Sequence, residues 1–230
     1  PEGVASLTLE APMSPFGFGG TRDVRGAPCT ADWAGTGGGT ANPDFVQRLA
    51  AKDRSADAPT SPRNILRDFY VKDLKLPAEL EDIYVDAMVA MSTGPMNYPG
   101  DVVAVSSWPA IGPGDGGVNN AISGKHCNLS GFAHIDPKPP VLWIRGADDA
   151  IVSDNSMFDL GALGKMGAVP GWPGDEAYPA QPMIGQIRAV LDAYAAGGGV
   201  VKEEVLVYCG HSPHLEHPER FLELLLAQVG

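Results

Sequence analysis

Two rhythms of hydrophobic and polar residues run along this chain, and stretches dense in glycine and proline separate them. VASLTLEAP, residues 4–12, is short, β-favouring and closed by a proline, which predicts a buried strand ending near Glu10. PPVLWIRG, residues 139–146, is a continuous apolar run of strand length, and VKEEVLVYC, residues 201–209, reads as a third strand. Helical period governs other segments. Leu80, Ile83, Tyr84, Ala87, Met88 and Met91 fall on one face of a helix over residues 77–91. Met183, Ile184, Ile187, Val190, Leu191 and Tyr194 make a second stripe, with Pro182 at its start and Gly197 at its end. PDFVQRLAAKD (43–53), with Pro43 in its first turn, and NILRDFY (64–70) read as shorter helices. PERFLELLLAQV (218–229) closes the chain as an amphipathic one.

After residue 139 the order strand, helix, strand, helix implies parallel pairing with right-handed crossovers, an α/β arrangement. SPFGFGGTRD, GTGGGTANP and most of residues 95–140 hold too much glycine and proline for regular structure and predict ordered loops. The division that follows is a core strand in 1–11, a cap or lid insertion in 12–138, and a C-terminal core in 139–230. No internal repeat is apparent.

Charge and composition narrow the partners. A net charge of -12 with no basic cluster argues against nucleic acid and anionic membrane surfaces. No apolar run approaches the roughly 20 residues that span a bilayer. A small, largely apolar ligand fits better. Cys29, Cys127 and Cys209 have no CxxC spacing for a metal and are too few for a disulfide scaffold. Either Cys29 and Cys127 pair, or all three are unpaired buried thiols.

Candidate chemistry gathers where the strands end. His211 follows the third strand behind Gly210, which permits a sharp turn and lets the imidazole project above the carboxyl end of the sheet, the edge at which open α/β sheets bind ligands. Asp148 and Asp149 occupy the loop after the second strand, where a carboxylate can fix an imidazole tautomer and stabilise its protonated form. Each feature alone has a structural explanation, a turn aspartate or a packed histidine; acid then base on adjacent strand ends support each other.

From VASLTLEAP onward the chain resembles the C-terminal part of an α/β-hydrolase: a strand, a cap, an acid loop of the form G-x-x-D-x-I-V, and a last strand leading to GHSPHLEHPERF. The resemblance assigns the acid to Asp149, fourth in GADDAIV, leaves Asp148 one residue early, and assigns the base to His211. It departs from the family in one respect: no G-x-S-x-G occurs in the sequence. The expectation is therefore a processed or split hydrolase, in which a separate N-terminal polypeptide of the same fold supplies the nucleophile and the oxyanion hole. Asp149 would orient His211, which would deprotonate a serine on that partner to cleave a carboxylic ester, lactone or amide. An Asp nucleophile, as in epoxide hydrolases or haloalkane dehalogenases, and a non-catalytic binding protein of the same fold are the alternatives. No metal or organic cofactor is implied.

Other residues carry weaker signals. Phe16, Phe18 and Trp108, in loops of the cap, could line an apolar acyl or alcohol pocket or simply pack the cap on the core. Pro1 as a catalytic amine and Cys209 as a nucleophile both fit poorly, the latter because adjacent strand positions point to opposite faces. His211, His214 and His217 recur every three residues, but Pro213 and Pro218 break the helix that would align them. The glycines of GFGG and GTGGG lack the Lys-Ser/Thr and helix of a phosphate loop, and backbone flexibility in the cap accounts for them.

Overall fold

The protein is described by a computed structural model covering residues 2–229, so the expectation about Pro1 lies outside the described residues. In chain order the elements are β1 (Leu7–Glu10), α1 (Pro43–Ala50), α2 (Pro62–Ile65), which runs into a π-helical turn at Leu66–Tyr70, and α3 (Ala78–Val89). The short strands β2 (Thr93–Gly94), β3 (Tyr98–Pro99), β4 (Val102–Ala104) and β5 (Ile111–Pro113) follow, then α4 (Val118–Ala121) and a 3-10 turn at Ser130–His134. β6 (Val141–Gly146), α5 (Leu160–Lys165), α6 (Met183–Ala196), β7 (Val201–Leu206), α7 (Pro213–Glu216) and α8 (Pro218–Val229) complete the chain.

β1, β6 and β7 form a parallel three-stranded sheet in the order β1-β6-β7, with Leu7 opposite Val141 and Val141 opposite Val201. The alternation of side chains sorts β6 between two cores. Val141 and Trp143 face α6, where Met183, Ile187, Leu191 and Tyr194 join them and Leu7 and Leu9 pack alongside. Leu142 and Ile144 face the other way, against Leu206, Cys209 and Leu224 of α8. Burying a large apolar side chain of this kind contributes about 1.5–3 kcal/mol, so Val141, Leu142, Trp143 and Ile144 are apolar in succession because both faces of β6 are covered there.

The stripe expected on α6 is buried except for Ile184, which is partly exposed, and it includes one residue the pattern did not suggest, the polar Gln186. Gln186 and Gln181 hold residues 14–23 against α6. Gln181 Oε1 accepts from the Gly19 N–H at 2.6 Å, and its amide donates to the Gly17 carbonyl, Thr21 Oγ1 and Gln186 Oε1. Ser14 Oγ donates to Gln186 Oε1 at 2.5 Å, and the Gln186 amide donates to Thr21 Oγ1 and the Asp23 carbonyl. The GFGG glycines belong to this arrangement: Gly17, Gly19 and Gly20 all have positive φ, and a Cβ on Gly17 would overlap the backbone of Gly124. Fixed geometry and close approach, rather than flexibility, account for them.

On α3 the buried face differs from the expected one. Glu81, Val85 and Val89 are buried, whereas Ile83 is 63% exposed and Met91 42% exposed. Val85 and Val89 pack on Leu66, and Glu81 turns inward because Arg63 and Arg67 both bind its carboxylate, so the ion pair rotates the helix away from its most apolar stripe. The guanidinium hydrogen bond from Arg67, then that from Arg63, holds the Glu81 carboxyl below its ordinary range against the opposing effect of burial.

Candidate active site

The sheet brings two loops to one place because β6 and β7 are adjacent and parallel, so their carboxyl ends coincide. Gly146, the last residue of β6, has to lack a side chain: a Cβ there would overlap the carbonyls of Cys209 and Gly210. Beyond β7 the left-handed residue is Tyr208, with φ 53° and 81% exposure, rather than Gly210. Gly210 is needed for space, since a Cβ would crowd the backbone of Val71 and Lys72.

His211 Nδ1 lies 2.9 Å from Asp149 Oδ2. The Asp149 side chain is 3% exposed and His211 22%. The other Asp149 oxygen, Oδ1, accepts from the N–H groups of Ile151 at 2.7 Å and Val152 at 2.9 Å. These backbone bonds fix the carboxylate in an Asx turn, and a carboxylate, which only accepts, sets Nδ1 of the neutral ring as the donor. Nε2 is then the basic nitrogen. Asp148 points away toward Lys72 Nζ, 4.0 Å distant, and is 39% exposed.

Glu216 of α7 ties this loop to the segment that follows the π-helical turn. Its Oε2 accepts from the Gly210 N–H and its Oε1 from the Lys72 N–H, both at 2.6 Å. The Tyr70 ring consequently meets the His211 ring edge-on, with centroids 5.7 Å apart. Burial pushes the Tyr70 phenol above its ordinary value, which keeps it protonated beside the imidazole.

His211 opens on a cleft of about 300 Å³ lined also by Glu10, Leu66, Tyr70, Tyr84, Ser212, His214 and Leu215. Phe16, Phe18 and Trp108 are not among these residues. Phe16 lies under Gly26, Phe18 packs on the core between the sheet and α6, and Trp108 packs edge-on to Tyr178 while donating its indole N–H to the Pro170 carbonyl at 2.9 Å. Leu66, Tyr70, Tyr84 and Leu215 supply the apolar wall instead. Tyr70 lies in a segment read only as a helix and Tyr84 is expected only as part of a helix's apolar stripe, and nothing in the local sequence sets their rings apart from core packing. Glu10 carried a usable signal, since it closes β1 at the same end of the sheet as Asp149 and His211.

Cys209 is fully buried among Leu142, Ile144, Leu206 and Leu224, and burial, reinforced by the Glu216 carboxylate, pushes its thiol up to about 12. A thiol so protonated is a poor nucleophile at neutral pH. All three cysteines are unpaired; Cys209 is buried, and Cys29 and Cys127 are partly exposed. His214 pairs with Glu10 and the buried Nε2 of His217 has no hydrogen-bond partner among the described residues. No group of three or more His, Cys, Asp or Glu side chains among the described residues is arranged to hold a metal ion, and no helix among them is long and apolar enough to cross a membrane.

Comparison with protein-family models gives no match, and comparison with curated proteins gives no relative. The chemistry of the site therefore rests on its own geometry.

Proposed function

We propose that this chain carries the acid and the base of a serine-type α/β-hydrolase that cleaves a carboxylic ester, lactone or amide, with the nucleophile supplied from outside these 230 residues. The observation that carries the proposal is the pair of Asp149 and His211 at the carboxyl ends of adjacent parallel strands, 2.9 Å apart, with the basic Nε2 left for the cleft. Asp149 orients the ring and stabilises the imidazolium; His211 takes the proton of the attacking hydroxyl and returns it to the leaving group. Residues 12–138 act as a cap, which brings Leu66, Tyr70 and Tyr84 over the base.

The two edges of the sheet support an added nucleophile segment. Leu7 and Ala11 donate their N–H groups to Pro140 and Ile144, so Thr8 and Glu10, which alternate with them, turn their backbone groups outward, where no backbone partner meets them among the described residues. That edge has no Lys or Arg. At the opposite edge, β7 carries Lys202, Glu203 and Glu204, paired with one another or with Arg145, Arg188 and Arg220, the charged surface that guards an edge against further pairing. Beside the open edge is an apolar groove of about 440 Å³ whose walls include Leu7, Leu9, Phe132, Ile187 and Leu191. A strand laid parallel on β1, followed by a helix in that groove, would end beside Glu10 and the cleft.

Turnover of p-nitrophenyl esters by the complete protein tests the proposal. Hydrolysis that disappears in His211→Ala is the expected result. Absence of hydrolysis of every ester, lactone and amide tried, in a folded preparation that includes whatever lies outside these residues, would overturn it.

A further inference from the structure

The cleft holds a second histidine–carboxylate pair that the hydrolase chemistry does not use. His214 Nδ1 lies 2.6 Å from Glu10 Oε1, and the same oxygen accepts the His214 backbone N–H at 3.1 Å. The backbone bond alone would fasten α7 to the end of β1, so the imidazole is not needed as a clip. Glu10 Oε2 carries no hydrogen bond among the described residues, and neither does His214 Nε2. With Nδ1 given to a carboxylate, the Nε2 of the neutral ring is an acceptor.

The polar side chains of this cleft are therefore unbalanced. Glu10 Oε2, His214 Nε2 and His211 Nε2 accept, the hydroxyls of Tyr70, Tyr84 and Ser212 serve either way, and among the described residues no Lys, Arg, Asn, Gln or Trp lines the cleft to donate. A ligand filling the space has to bring its own donors or leave acceptors desolvated without partners, which costs about 1–3 kcal/mol for each group.

We propose that Glu10 and His214 form a specificity subsite selecting substrates that carry a hydrogen-bond donor, a hydroxyl or an amine, beside the scissile acyl group. The proposal rests on the hydrolase reading above. His214 and Glu10 act here on substrate binding, while His211 remains the base.

The test compares p-nitrophenyl esters of butyrate, 3-hydroxybutyrate and 3-aminobutyrate on the complete protein. At least one donor-bearing ester should exceed butyrate in kcat/KM by about 10- to 100-fold, the discrimination a hydrogen-bonding site gains against an analogue lacking its donor. The two donor esters separate a hydroxyl preference from an ammonium preference. Glu10→Gln, which keeps an oxygen for His214 and turns the free acceptor into a donor, and His214→Phe should each bring the ratio toward one, chiefly by raising KM for the donor ester. A ratio near one in the unsubstituted protein, or one that both variants leave unchanged while butyrate hydrolysis still depends on His211, would overturn the subsite alone. Loss of all His211-dependent hydrolysis would overturn the hydrolase reading and the subsite with it. If His214→Phe does not fold, Glu10→Gln carries the comparison.

Discussion

His211 meets Asp149 and not Asp148, although the two aspartates are neighbours in the loop after β6. Asp149 is buried with both oxygens engaged, one by His211 and the other by the N–H groups of Ile151 and Val152, whereas Asp148 lies out toward Lys72. The Asx turn that Asp149 builds is what separates them, because it turns one side chain inward and the adjacent one out.

Substitution in this loop should follow that difference. Asp149→Asn should lower kcat by about 10⁴-fold, as replacing the acid of a catalytic triad with Asn does, His211→Ala should lower it by at least as much, and Asp148→Asn should change it less than about threefold. Steady-state kinetics on folded variants decides. A larger loss in Asp148→Asn than in Asp149→Asn would mean that the wrong aspartate has been assigned as the acid.

The ion-paired Glu81 should make the packing of α3 sensitive to acid. Its carboxyl is held below the ordinary 4.5, so the pairing contributes fully above that pH and is lost as pH falls through the depressed value of the folded state. Glu81→Gln should cost about 2 kcal/mol at pH 7, since it leaves Arg63 and Arg67 with weaker partners. The gap from the unsubstituted protein should close progressively below pH 4.5. Urea unfolding at pH 7, 5 and 3.5 measures it, and a gap that widened with acid would contradict the ion-pair account.

Gln181 should matter more than a surface amide. Gln181→Ala strands the Gly19 N–H, the Gly17 carbonyl and Thr21 in a buried site and should destabilise the fold by about 3 kcal/mol. Loss of protection from hydrogen exchange in residues 14–23 should accompany it. A cost below 0.5 kcal/mol, or about the value of an exposed substitution, would show that the network is replaceable by water.

Much of this arrangement was legible in the residues. β1 and β6 end where the residues suggest, at Glu10 and Gly146, and β6, a central strand covered on both faces, leaves a continuous apolar signature; β7, an edge strand carrying Lys202, Glu203 and Glu204, stops at Leu206, three residues short of the expected Cys209. The meeting of Asp149 and His211 was legible for a related reason: both follow strands closely, and parallel neighbours must deliver their carboxyl ends together. The buried face of α3 was not legible, since a charge became buried through partners on a different helix, and a periodic hydrophobic pattern carries no record of that. The cleft walls were obscured likewise. Tyr70 reaches His211 through Glu216 binding both Gly210 and Lys72, residues 138 positions or more apart in sequence, whereas Phe16 and Trp108, aromatic and loop-borne, were drawn into packing contacts of their own.

The site of covalent labelling tests most directly whether His211 serves a nucleophile from elsewhere. A fluorophosphonate reacts with a serine that has a base and oxyanion donors beside it, and Ser212, the serine next to His211, is 5% exposed with no such donors assigned. Peptide mapping of the labelled complete protein should place the phosphonate on a serine outside residues 1–230, and His211→Ala should prevent the reaction although His211 is not the residue modified. Phosphonate recovered on Ser212, or on any other serine within these residues, would contradict the assignment. Turnover without labelling of any serine would move the nucleophile to an aspartate.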